Sequence, residues 1–114
     1  MKRTELDLDE FTTSCLEYQR EWGLMSYDLA FDWCKVSDAY ASITVDEDGC
    51  VATVRLGRVV RDVKKCPPIR MLAKHEMCHL LMNRLYWLGL KRHVSESELD
   101  VEFERLAVVL EKIL

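Results

Sequence analysis

A glutamate framed by two histidines, His75-Glu76-Met77-Cys78-His79, sits inside the run CPPIRMLAKHEMCHLLMNRLYWLGL at residues 66–90. The run predicts one long helix, with Pro67 and Pro68 suited to its start and Gly89 to a stop near its end. Histidines four residues apart then lie one turn apart on the same face. There both imidazoles can reach one Zn²⁺, with the intervening glutamate beside it to act on water. At about 100° per residue, Met71, Met77, Cys78, Leu81, Met82, Leu85 and Leu88 spread over a broad apolar face. His75, Glu76, His79 and Asn83 fall on the remaining arc. A helix this apolar is expected to be central and buried, with one polar stripe left for a cleft.

The rest of the chain supplies a frame for that helix. Residues 5–21 read as an amphipathic helix, with Leu8, Phe11, Cys15, Tyr18 and Trp22 at three-and-four spacing and Gly23 closing it. Its first turn is acidic through Asp7, Asp9 and Glu10. From residue 27 the period changes: residues 27–34, 39–45 and 50–56 are short, β-branched and aromatic, and set off by turn residues. Asp46-Glu47-Asp48-Gly49 predicts a hairpin turn between the second and third strands, solvated rather than calcium-binding. Residues 58–66 form a charged connector. Ser95-Glu96-Ser97-Glu98 opens a last helix with a capping-box pattern. Leu99, Phe103, Leu106, Leu110 and Ile113 form its apolar stripe, with Ala107 and Leu114 on one flank. The expected fold is α+β: an N-terminal helix, a three-stranded mainly antiparallel sheet, the HExxH helix, and a C-terminal acidic helix.

At 114 residues the chain can bury one core, so residues 1–114 are expected to form a single domain. Its opening, MKRTELDLDEF, is charged, and no apolar run approaches membrane-spanning length, so neither a signal peptide nor a membrane anchor is expected. Five cysteines, an odd number without paired CxxC spacing, argue for reduced thiols and a cytoplasmic setting. A net charge of −4 speaks against nonspecific nucleic-acid binding by the whole chain. One basic stretch, with Arg58, Arg61, Lys64 and Lys65 flanked by Arg55 and Arg70, remains a possible surface for nucleic acid or an acidic partner.

A catalytic zinc site needs a third protein ligand and an open position. A further histidine six residues after His79 would mark a metzincin, but Leu85 stands there. His93 is a more distant option, and its plainer reading is a solvated loop histidine. The last helix offers Glu98, Asp100, Glu102 and Glu104. Glu98 already serves the capping box of Ser95. Asp100 and Glu102 lie on opposite shoulders of the apolar stripe; periodicity leans towards Glu102 and leaves both open.

The order of elements, the stretch HEMCHLL and the downstream DVEFERLAVVL at residues 100–110 resemble a minimal gluzincin-type zinc peptidase. The likeness is to the ImmA/IrrE-like peptidases and the small HExxH proteins often encoded by phages. In that family the third ligand is followed seven residues later by a small residue and ten later by a leucine, a register that Ala107 and Leu110 place at Asp100. The resemblance covers about the last 50 residues well, and is most specific in the HExxH helix. It implies a cytoplasmic peptidase acting on a peptide or protein substrate. His75, His79 and Asp100 would hold Zn²⁺, Glu76 would be the general base, and Glu104 would orient a histidine. Aspartate in place of the usual glutamate requires the two helices to approach more closely. Two alternatives follow from the same residues: a degenerate zincin serving as a metal-stabilised binding or regulatory protein, and a SprT-like DNA-associated protease built on His93 and the basic stretch.

Overall fold

A computed structural model describes residues 2–34, 40–60, 62–91 and 93–113. Three helices and one three-stranded sheet follow each other as α1 (Glu5–Glu21), β1 (Asp28–Cys34), β2 (Ala41–Asp46), β3 (Val51–Gly57), α2 (Ile69–Leu90) and α3 (Glu96–Ile113). The chain is therefore α+β. Residue 39, where the second strand was expected to begin, lies outside the described residues.

α1 is fixed at both ends by local bonds. Thr4 caps it: its hydroxyl accepts from the Asp7 N–H at 3.3 Å, while the Thr4 N–H donates to Asp7 Oδ2 at 2.8 Å. At the other end Gly23 adopts φ +70. The Gly23 N–H then reaches Arg20 O and the Leu24 N–H reaches Gln19 O at 2.8 Å, the pairing of a Schellman motif. Gln19 reinforces the exit by donating to Leu24 O and, at 2.8 Å, to Tyr27 O. The stripe Phe11, Cys15, Tyr18 and Trp22 is buried as its spacing predicts, with Leu8 packed against it.

The sheet is mixed, not mainly antiparallel. Its order is β1-β3-β2. β2 and β3 form the expected antiparallel hairpin, whereas β1 runs parallel to β3, from Asp28 beside Val51 to Cys34 beside Gly57. Burial accounts for the central place of β3. Ala52, Val54 and Leu56 of β3 are wholly enclosed, and a strand so deep needs a neighbour on each edge for its backbone N–H and C=O groups. β1, with Asp28 and Asp32 exposed, takes one edge; β2 takes the other. Leu29, Phe31, Trp33, Ala41, Ile43 and Val45 line up with the three β3 residues on one face. Apolar residues of α1 and α2 close this layer into a single core with Met77, Leu80 and Leu81.

α2 spans the core, packing against α1, β2 and α3. Pro68 is its N-cap, its carbonyl accepting from the Met71 and Leu72 N–H groups. The helix runs through Gly89 and ends at Leu90, so the glycine does not stop it; Lys91 is extended and donates to Leu88 O. α3 begins at the capping box read from the sequence, the Glu98 N–H donating to Ser95 Oγ at 3.1 Å. Among the described residues no helix is long and apolar enough to cross a membrane, and Cys15, Cys50, Cys66 and Cys78 are all free thiols.

Candidate metal centre

The helical spacing of His75 and His79 brings the two imidazoles together. Their Nε2 atoms are 3.2 Å apart, with ring centroids at 4.8 Å and planes nearly perpendicular at 85°. Both rings reach solvent. Two ligands held at about 2.0–2.1 Å by a tetrahedral zinc would sit about 3.3 Å apart, so the pair has the spread that one ion requires.

Glu76 lies one residue round the helix and is only 6% exposed. Burial holds its carboxyl above the usual carboxylate range, and the two histidines pull it partway back. Beneath it, Cys15 of α1 has its thiol pushed up to about 12, first by burial and then by the Glu76 charge. The motif glutamate thus reaches inward from the polar stripe, between a dry core and two solvent-facing imidazoles.

The histidines look into a groove between α2 and the edge strand β2. A cleft of about 850 Å³ is walled by Ala41, Ile43 and Val45 on the strand and by His75, His79, Met82 and Tyr86 on the helix. A second, of about 380 Å³, is lined by Tyr40, Pro67, Met71 and Leu72. The two share Ala41, His75 and Glu76. Met71 and Met82 were expected in the core but are 55% and 47% exposed. They lie at about 320° and 340° round α2 when His75 is set to zero, outside the buried arc of about 60–240° that holds Leu72, Leu80 and Leu81. Their thioethers line the groove instead.

Glu47 was read as part of a solvated turn, yet its side chain is almost fully enclosed. Its carboxylate accepts from the Tyr27 hydroxyl at 2.7 Å and from Asn83 Nδ2 at 2.9 Å. Asn83 stands one turn after His79, so this bond fixes the β2–β3 turn against the histidine-bearing side of α2. Burial, then the Glu47 hydrogen bond, push the Tyr27 hydroxyl above its ordinary range. A glutamate in a DxDG-like turn carries no spacing signal that would reveal this role.

Asp100 is not brought to the histidines. It is exposed on α3, while Glu102, two residues on, is 2% exposed and faces α2. Glu102 accepts from Arg105 Nε at 3.0 and 3.1 Å and lies 3.7 Å from Arg84 Nε. Arg105 also donates to Leu81 O at 2.7 Å. Arg84 also lies 3.8 Å from Glu47. The α3 carboxylate that faces α2 is thus Glu102, held among arginines, while Asp100 stays exposed. His93 and Glu104 are exposed, and Glu98 is engaged with Ser95. Among the described residues no group of three His, Cys, Asp or Glu side chains could hold a metal ion.

Three cations in and beside the basic stretch are turned to separate tasks. Arg55 donates to Thr44 Oγ1, Arg58 stacks on Trp33, and Arg70 bonds Glu17 and covers the Tyr18 ring. Arg61 lies outside the described residues. Comparison of the chain with protein-family models, curated proteins and solved structures found no match in any of the three.

Proposed function

We propose that the chain is a zinc-dependent peptidase of the zincin type, acting on an extended segment of peptide laid along the β2 edge. The observation that carries this reading is the convergence of His75 and His79 at 3.2 Å beside a buried Glu76, inside a groove with one wall formed by an edge strand. A zinc ion there would supply Lewis-acid polarisation of the scissile carbonyl and acidification of water. His75 and His79 fit it as neutral imidazole ligands. Glu76 takes the proton of the attacking water and returns it to the leaving amine, a task suited to a carboxyl held above its ordinary range. The β2 edge supplies backbone N–H and C=O groups for a substrate strand, and the clefts on either side of Glu76 receive its side chains.

One placement favours a second reading. Asp100 is exposed and joins no three-ligand group with the histidines among the described residues, which leaves the two imidazoles as the protein ligands in view; a groove so equipped can hold peptide and metal without turnover. Zinc content and cleavage of an unfolded protein, measured together on wild type and Glu76→Gln, separate the two. Zinc bound by both, with cleavage by wild type alone, supports the peptidase. Zinc bound by both with cleavage by neither supports the binding protein. Cleavage by Glu76→Gln at the wild-type rate overturns the mechanism.

A further inference from the structure

The connector ahead of α2 contains a second chemical arrangement, independent of the metal reading. An antiparallel bridge between Lys2 and Val59, with the Arg3 N–H donating to Arg58 O at 2.8 Å, lays the chain start against the connector. This delivers the Arg3 side chain inward, where it is only 7% exposed. No carboxylate of the described residues pairs with it. Its Nη2 donates to Cys66 Sγ at 3.0 Å, and its buried Nε has no hydrogen-bond partner. A guanidinium is always charged, and one buried without an anion or a full set of acceptors is costly.

Cys66 differs from the other described thiols. Cys15 is sealed in the core and raised to about 12, and burial also raises Cys78. Cys50 is exposed, its sulfur 3.6 Å from Glu47 O and touched by no guanidinium of the described residues, whereas the Cys66 sulfur, 3.4 Å from Pro67 O, also accepts from Arg3. Cys66 is half-buried, two residues before the N-cap of α2, with Lys64, Lys65 and Arg70 exposed nearby in sequence and no acidic residue in the first helical turn. The nearby carboxylate in the preceding turn, Asp62, is exposed and bonded to the Lys64 N–H. An electropositive, partly accessible pocket is where reactive cysteines are found.

We propose that Cys66 is a peroxide-sensitive thiol whose oxidised form is held by the Arg3 guanidinium. The Cys66 thiolate sulfur attacks one oxygen of hydrogen peroxide; an S–O bond forms as the O–O bond breaks. The departing hydroxide takes the proton of the new S–OH group and leaves as water, so sulfur loses two electrons and the peroxide gains them, leaving a sulfenate. The added oxygen is the acceptor that the Arg3 fork lacks, and charge-assisted bonding to it stabilises the product. Methyl or apolar contacts could not offer that bond.

The test is sulfenate trapping with dimedone after graded hydrogen peroxide, read residue by residue by peptide mass spectrometry. In the native protein Cys66 is expected to be labelled about tenfold or more faster than the more exposed Cys50. That excess should vanish in urea. Arg3→Met, with folding checked by circular dichroism, should bring Cys66 down to the Cys50 rate. Equal native labelling of the two cysteines overturns the proposal without any variant. So does an undiminished Cys66 rate in urea or in folded Arg3→Met.

Discussion

Removing the charge of Glu102 should loosen α3 more than any other conservative change on that helix. Its carboxylate is 2% exposed and accepts from both Nε and Nη2 of Arg105, with Arg84 at 3.7 Å. Glu102→Gln keeps the shape but turns an N–H group towards guanidinium N–H groups. Breaking a fully buried ion pair from one side costs about 3–5 kcal/mol. Here the surviving partners can recover water, since Arg105 is 34% and Arg84 50% exposed, which reduces the expected cost to about 2–3 kcal/mol. For a domain near 100 residues that is a fall in Tm of roughly 10–20 °C. Urea unfolding followed by circular dichroism measures it, and Asp100→Asn is the control. Asp100 is exposed, so its change should stay within about 0.5 kcal/mol. A loss below about 0.5 kcal/mol in Glu102→Gln would refute the claim that this network secures α3. A reduced m-value at lower stability would instead place the damage in local release of the helix.

The remaining predictions concern the groove and the core. By isothermal titration, His79→Ala should abolish stoichiometric zinc binding while Asp100→Ala leaves the affinity unchanged; an equal loss in both would return Asp100 to the ligand set. Metal-free Glu76→Gln should be more stable than wild type at neutral pH. A carboxyl raised in the folded state contributes fully only below its unfolded pKa and loses stability as pH rises through the folded value, and the amide escapes that loss. The advantage, read as a Tm difference, should shrink towards pH 4 and is absent if Glu76 is ordinarily solvated. Cys15 should resist alkylation in the native protein even at pH 9, since burial keeps its thiol protonated, and react only on unfolding. Leu80→Ala empties a fully enclosed position and should cost about 2–5 kcal/mol in chemical denaturation; a cost under 1 kcal/mol would mean that α2 is not the central helix.

How far such features can be read in advance depends on the kind of interaction that fixes them. The α1 stripe and the Ser95–Glu98 box were legible because each is a local pattern set by helical geometry and confirmed by atoms within one or two turns. The Thr4–Asp7 box is equally local but uses aspartate where the usual signal is glutamate or glutamine. Strand direction was not legible. An alternating strand looks the same whether its neighbour is parallel or antiparallel, and the wholly buried β3 drew β1 to its open edge through contacts far along the chain.

The candidate site divides along the same line. His75, Glu76 and His79 come together by helical spacing alone, so the sequence suffices to pair their rings. A third donor requires a helix 20 residues downstream to choose a side of α2, and nothing local fixes that choice. Periodicity leaned towards Glu102 as the inward carboxylate, and inward is where it lies. What meets it there is Arg105, three residues along its own helix, together with Arg84 of α2. A carboxylate that faces a neighbouring helix is as readily a strut as a ligand: the cations placed around it decide, and here two arginines had already claimed the position.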